Sequence, residues 1–405
     1  MSRMWRGWTV LILFAIGTSL ITPLIPLYQD KLGFSDTVVT LFLGCYVVAL
    51  VPSMLTLGQL SDRVGRKGVL IGGILTLGVA QAFLITEPGL TGLLVARAVQ
   101  GLATGAFLGT CTAFIVDLAP VEKMGATSSR RLVSALASVS VRGGLGLGPG
   151  IGGLIAQYAM EPLRLPFELH LIALVVALGL VLTLPETVTE RSRRPLTLRL
   201  EVPRAERSVF WRVLVPSGML FSLFDGTSLA LVPVFLVRTI GIDNFIVVGA
   251  AGFLVLVSGA ISPLVFPRLG PMPAIVGGLL VASAAWLGVV AGAPLESAGL
   301  VLVAVAVTGA AAGLVFKGGV DLCTQIAPVT DRGKLISSYY VAGYLGGFSV
   351  PLIVVGALSD LIGLTTALAC LSVAGLAGVA WILLVGRRAV DDLREARAVP
   401  QAARQ

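Results

Sequence analysis

Three ionisable side chains lie in stretches otherwise too apolar to hold them. Asp225 sits in Phe221-Ser-Leu-Phe-Asp-Gly-Thr-Ser-Leu229, Arg142 stands just ahead of a glycine–proline run, and Arg97 opens Arg97-Ala-Val-Gln100-Gly101. A charge within hydrocarbon costs roughly 2.5–3.5 kcal/mol on insertion scales, so such residues tend to face a cavity or a partner. Asp225 is the leading candidate for a group that gains and loses a proton, with Arg97 as a second coupling residue. Arg142 suits an anionic group, or Asp225 itself as a partner. Gln100, Phe224 and Tyr344 are the further candidates for lining such a cavity, and Tyr46, Phe107, Tyr339 and Tyr340 are weaker ones. The plainer reading keeps Asp225 as a carboxyl bonded to a nearby hydroxyl, and Arg97 as an arginine reaching for the interface.

A second cluster, Gly58-Gln-Leu-Ser-Asp-Arg-Val-Gly-Arg-Lys67, packs one acid, three bases and two glycines between long apolar runs. It belongs to a short connection in water. Its glycines permit close backbone approach, and Asp62 is placed to accept from helix N-terminal amides, where a carboxylate is favoured. Arg63, Arg66 and Lys67 are expected to pair with acids on neighbouring helix ends, Asp117 among them. The alternative is that these bases only fix the side of the membrane on which the loop lies. A third feature, Gly144-Leu-Gly-Leu-Gly148-Pro149-Gly-Ile-Gly152-Gly153, combines small residues that let helices approach in lipid with a proline that removes a backbone bond.

The elements that position these groups are long apolar helices. Of 405 residues 56% are hydrophobic and only 12% charged, and a span needs ~20 apolar residues. Twelve candidate spans follow: 8–28, 36–57, 68–87, 91–115, 131–157, 166–184, 211–237, 243–266, 273–293, 298–318, 335–358 and 364–386. The expected fold is an all-α membrane protein with twelve transmembrane helices in two six-helix pseudo-symmetric bundles. The expected divisions are 1–185 and 210–386 for the bundles, 186–209 for a linker rich in arginine, and 387–405 for a tail. Residues Asp117–Gly125 resemble Asp321–Gly333, a weak repeat that suits two related halves, as in many transporter folds. The second half has no good copy of the opening loop at the corresponding place, Pro267–Met272.

The formal charge is +8, but the bases lie between apolar runs and form no basic domain, which speaks against nucleic acid. Of the 29 bases only Lys31, Arg164 and Arg238 fall outside if the N-terminus is inside, so both termini are expected in the cytoplasm. Four cysteines in no paired spacing and a single histidine, His170, support neither a disulfide framework nor a metal site. No metal and no cofactor is expected, and His170 is expected to be solvated near the outer interface. No nucleophile–base set or phosphate loop supports an enzyme.

The opening loop, with its Gly-x-Leu-x-Asp-Arg-x-Gly-Arg-Lys spacing, resembles the signature loop of the major facilitator superfamily of secondary transporters. Arg97-x-x-Gln-Gly-x-x-x-Gly105 is similar to the superfamily's second signature, whose arginine is associated with proton coupling. Gly144-x-x-x-Gly-Pro-x-x-Gly-Gly153 resembles the motif of its antiporter branch, the twelve-span drug/proton exchangers, and Leu184-Pro-Glu-Thr187 is a further familiar feature. The resemblance implies alternating access, with the opening loop as a conformational latch. It implies proton-coupled export of a small organic molecule, with multidrug efflux as the type case. Proton-coupled uptake of a metabolite and a non-transporting receptor or scaffold are the alternatives. The branch usually carries acids in its first spans, whereas this chain carries Arg142, which leaves neutral or anionic substrates open. The expected setting is a monomer in the lipid bilayer of a bacterial cytoplasmic membrane, working on protons and a small-molecule substrate.

Overall fold

The computed structural model describes residues 3–119, 126–188, 200–328 and 330–402. The middle of the expected linker, 189–199, and residues 120–125 of the weak repeat lie outside them. Among the described residues twelve long helices run in alternating directions: α1 Arg3–Leu32, α2 Asp36–Val64, α3 Arg66–Ile85, α4 Leu90–Asp117, α5 Ala126–Tyr158 and α6 Leu165–Leu182, then α7 Arg204–Thr239, α8 Phe245–Val265, α9 Pro271–Ala291, α10 Ala298–Ile326, α11 Arg332–Ile362 and α12 Leu364–Leu393. Among the described residues there is no strand. A bilayer leaves few other options, because every backbone amide in hydrocarbon must be satisfied within the protein.

Several boundaries differ from those the apolar runs suggest. Helix α1 begins at Arg3 and is interrupted by a 3-10 turn at Thr22–Leu24, where Pro23 and Pro26 lack the amides a regular helix would use. Helix α7 starts at Arg204, inside the stretch read as linker, and carries π turns at Phe210–Leu214 and Phe235–Thr239. Helix α11 breaks at Ser349, just ahead of Pro351, into Arg332–Phe348 and Val350–Ile362. The last turns of α12 run on without a break into the helix Arg387–Ala402.

The two halves repeat one packing scheme. In the first, α1 packs on α4 and α5, α2 on α4, and α3 on α4 and α6; in the second, α7 packs on α10 and α11, α8 on α10, and α9 on α10 and α12. The halves meet along two seams, α5 on α8 and α2 on α11. These seams exchange places under the pseudo-twofold. The peripheral helices show bare apolar side chains, such as Val79, Ile172, Val281 and Val373, the surface expected to face lipid.

The glycine run in α5 is read by two neighbours at once. Gly144, Gly148 and Gly152, spaced one turn apart, face α1, where an added Cβ would run into Ala15, the Ile16 carbonyl and the Leu20 carbonyl respectively. Gly153 faces α8, lying against the Phe245 carbonyl and Gly249, and Pro149 packs on Gly249 and Gly252. Pro149 leaves α5 unbroken.

Candidate functional site

A cavity of about 400 Å³ lies between the halves. Tyr46 and Leu50 of α2, Arg97 and Thr104 of α4, Arg142 of α5, Asp225 of α7, and Tyr340 and Tyr344 of α11 are among the residues that line it. It is predominantly apolar. Along α11, Tyr340 stacks on Tyr344 at 6.3 Å between ring centroids, and Tyr344 on Phe348 at 5.6 Å.

Arg142 and Asp225 meet across the halves: the guanidinium Nη2 donates to the Asp225 carboxylate. Asp225 is almost fully buried, and neither its Oδ1 nor Arg142 Nε has a protein partner. The guanidinium also lies over Gly259 of α8, where a Cβ would come within 2.8 Å of it. A buried ion pair with an open valence on each side can exchange partners within the cavity, and losing either charge strands the other.

Arg97 is buried, not reaching for the interface. Its Nε donates to the Phe42 carbonyl at 3.2 Å, and Nη1 to the Thr18 carbonyl at 2.9 Å and to Gln100 Oε1 at 2.8 Å. The guanidinium also stands 4.7 Å from the Tyr46 ring centroid, close enough for attraction by the ring face. Arg97 thus ties α4 to α1 and α2 at the cavity wall.

Four expected lining residues, Gln100, Phe224, Phe107 and Tyr339, are absent from that wall. Gln100 is fully buried and turned toward Arg97, so it orients the arginine. Phe224, one position from Asp225, points away from the cavity and packs on Trp286, 5.8 Å between centroids. Tyr339 is buried beside Phe221 and Phe316, and Phe107 stacks on Phe14. His170 is likewise buried, not solvated: its Nε2 lies 2.9 Å from the Leu13 carbonyl and its ring fills the space over Gly17. Lys317 pairs with Asp321 at 2.7 Å and donates to the Leu269 carbonyl.

At the end of the bundle that carries the termini, the opening loop turns at Gly65, whose φ of 108° few other residues adopt. Arg66 Nε holds Asp117 at 2.7 Å, the pairing anticipated from charge, and Thr187 shares the same carboxylate oxygen. Lys67 donates to the Leu182 and Leu184 carbonyls, capping the end of α6 instead of pairing with an acid. The carboxylate accepting from helix N-terminal amides is Glu186, not Asp62: its oxygens take the Arg66 and Lys67 amides at 3.0 and 3.1 Å. Burial works against ionisation of Glu186, but the amides of Val188, Lys67, Arg66 and Thr187 outweigh it and hold the carboxyl below its ordinary range. Asp62 reaches only Arg66 Nη1, at 3.4 Å, and is mostly exposed.

The opposite, far end holds a polar clasp that sequence reasoning missed. Asp360 of α11 accepts from the Asp36 amide at 2.9 Å, the Thr37 amide at 3.0 Å and the Thr37 hydroxyl. Ser359 donates to Asp36 Oδ2, and Arg238 lies 3.6 and 3.7 Å from Asp30 and Asp36. On the other seam, Gln157 Oε1 accepts the Phe245 amide at 2.6 Å. The available signal was the acid ending one helix and the unfilled amides opening another, which only the seam brings together.

A sequence model of the Major Facilitator Superfamily matches residues 7–351. Multidrug resistance protein 1 of Bacillus subtilis (strain 168) is 27% identical over 179 residues, 44% of each chain. Quinolone resistance protein NorA of Staphylococcus aureus (strain Mu50) is 25% identical over 177 residues, 42% of each. Both alignments therefore span less than half of the relative's length. The solved bacterial homologue of the human lysosomal transporter Spinster, in an inward-facing and unoccupied conformation, superposes with a TM-score of 0.71 at 16% identity, covering 96% of this chain and 97% of that one. With the matching family model extending over most of its length, this chain belongs to the major facilitator superfamily.

Proposed function

We propose that the protein is a proton-coupled antiporter that exports a small lipophilic organic molecule by alternating access. The observation that carries this reading is the Arg142–Asp225 pair, which joins the halves inside a predominantly apolar cavity. With the pair formed, the charges of Arg142 and Asp225 offset each other and Arg97, bonded to carbonyl oxygens, leaves the wall mildly positive, which suits an uncharged, amphoteric or anionic guest with aromatic surface to lay against Tyr340 and Tyr344. A proton arriving at the Asp225 carboxylate breaks the pair and frees the Arg142 guanidinium. The link between the halves and the charge facing the guest then change together. That is the coupling exchange requires: proton and substrate favour different forms of one site.

Topology supports the direction. The concentration of Lys and Arg at the end bearing the termini supports a cytoplasmic location for that end, and we propose a bacterial cytoplasmic membrane and a monomer as the working unit. The far end is clasped, and the cavity wall runs from Tyr28 and Val39 on the far side through Met54 and Thr112 toward the termini end, which supports reading this form as inward-facing. The names of the two curated relatives point to drug-like cargo. The close α5–α8 seam, in which glycine and proline leave little room for water, suits an exchanger that must not leak.

The test uses proteoliposomes with an imposed pH gradient, scanned with a quinolone, a lipophilic cation and neutral aromatic solutes. At least one solute should move against the direction of proton flow, and Asp225→Asn should abolish proton-driven movement while still binding that solute. If no solute moves protons, exchange is the wrong reading.

A further inference from the structure

Helix α11 ends in Gly356-Ala-Leu-Ser-Asp-Leu-Ile-Gly363, which repeats the spacing Gly58-Gln-Leu-Ser-Asp-Arg-Val-Gly65 at the end of α2. The likeness extends to the backbone. Each segment closes its helix on a positive-φ glycine, 108° at Gly65 and 87° at Gly363, with ψ of 149° and 148°. In each, the glycine amide donates to the serine carbonyl, Ser61 at 3.2 Å and Ser359 at 3.0 Å. The next helix, α3 or α12, then starts at once. The copy lies at the far end of the bundle, across the membrane from the original.

From this we infer that Gly356–Gly363 is a second latch, holding the far end shut through Asp360 as its positioning residue. The argument is geometric. Helices α2 and α11 pack against each other in opposite directions, so each one's C-terminus lies near the other's N-terminus. At the far end the α11 carboxylate caps the first amides of α2, satisfying donors that a helix start leaves open and placing negative charge where the helix field favours it. Ser359 and Arg238 hold Asp36 beside it. At the termini end, among the described residues, the mirror-image elements make no such bond: Asp62 is mostly exposed and turned to Arg66, and α11 opens at Arg332 with no side-chain cap.

The inference rests on the alternating-access reading and adds a rule to it. One seam carries a latch of the same design at each end, and rocking engages one as it releases the other. The Asp360 latch therefore biases the inward-facing form, and its loss populates the form open at the far end.

Spin-label distance measurements test this directly. In a background with Cys45, Cys111, Cys323 and Cys370 replaced by alanine, labels at Met160→Cys and Leu295→Cys report the far end, and labels at Trp5→Cys and Phe266→Cys the termini end. All four positions are exposed. Asp360→Ala should raise the ratio of far-end-open to far-end-closed protein by about tenfold, the loss expected from one or two charge-assisted hydrogen bonds. The termini-end distance should shorten in the same molecules. Asp360→Asn, which keeps one acceptor oxygen, should give a smaller shift and shows that the protein remains folded. Asp62→Ala should leave the far end closed. Unchanged distances in a folded Asp360→Ala protein, or far-end opening by Asp62→Ala as well, would overturn the second latch. A shift of distances without coupled transport would instead count against the proposed exchange and leave the latch standing.

Discussion

The two seams between the halves are equivalent by pseudo-symmetry and opposite in chemistry. Along α5–α8, Gly153 meets Gly249 and Pro149 meets Gly252, and backbone lies nearly on backbone. Along α2–α11 the middle is built from bulky side chains, Tyr46, Val47, Leu50, Tyr344 and Phe348, and one end is held by the Asp360 clasp. In lipid no hydrophobic drive favours helix association, so a seam gains stability from close packing or from hydrogen bonds. Each seam emphasises one of these. The glycine seam is close-packed around Pro149 and Gly153, whereas the middle of the clasped seam is held by side chains, with close glycine contact at Gly356 beside the clasp. Symmetric folds therefore need not have symmetric hinges.

The largest expected effect tests the charged link beside the glycine seam. Asp225→Ala leaves Arg142 without its partner and should cost roughly 3 kcal/mol of stability, toward the lower end for a broken buried pair because the guanidinium has some access to the cavity. Thermal unfolding in detergent reads this, and adding Arg142→Ala should return part of the loss. No recovery in the double variant would mean the pair is not the coupled unit.

A smaller effect separates the seams by sign. Gly153→Ala places a methyl against the Phe245 carbonyl and Gly249 and should destabilise by about 1–3 kcal/mol. Gly44 of α2 faces α11, but its nearest neighbour to an added Cβ is Ile353 at 3.6 Å, an ordinary contact. Gly44→Ala should therefore stabilise by about 0.5–1 kcal/mol, the gain from replacing glycine inside a helix. Equal penalties at both positions would erase the distinction between the seams.

The smallest effect belongs to neither seam. The Glu186 carboxyl is held below its ordinary range, so its contribution is present at neutral pH, where the carboxyl is ionised in the folded and unfolded states. It is lost as pH falls through the depressed folded value. Hydrogen exchange at the Arg66 and Lys67 amides should rise relative to neighbouring amides on acidification, and Glu186→Gln should show the faster exchange already at neutral pH. Both seams should be unaffected.

The sequence reveals much of this because lipid simplifies the physics. Twelve apolar runs suffice to place twelve helices, but Gln100, expected to line the cavity, instead orients Arg97 from the same helix face three positions on. The direction each side chain faces is another matter. In hydrocarbon a helix can be apolar all round, so pattern does not tell Phe224, which faces Trp286, from Asp225, one position on and in the cavity. His170 looks peripheral by position, yet turns inward to the Leu13 carbonyl. The meeting of residues 142 and 225, or of 36 and 360, depends on which helices share a seam, and spacing along the chain carries no measure of that. Glu186 lay within a familiar run, but its work became visible only once α3 was seen to begin without a cap of its own.

The break in α11 at Ser349 gives the clasped seam a joint. Below it, Arg332–Phe348 bears the stacked rings of the cavity; above it, Val350–Ile362 bears the clasp. A straight rod would force cargo and clasp to move as one piece. If the protein works by the exchange proposed above, a jointed rod would let a guest against Tyr344 bend the lower segment before the Asp360 clasp yields. Stiffening that joint, for example by converting Ser349 and Pro351 to alanine, should make opening track cargo size more directly.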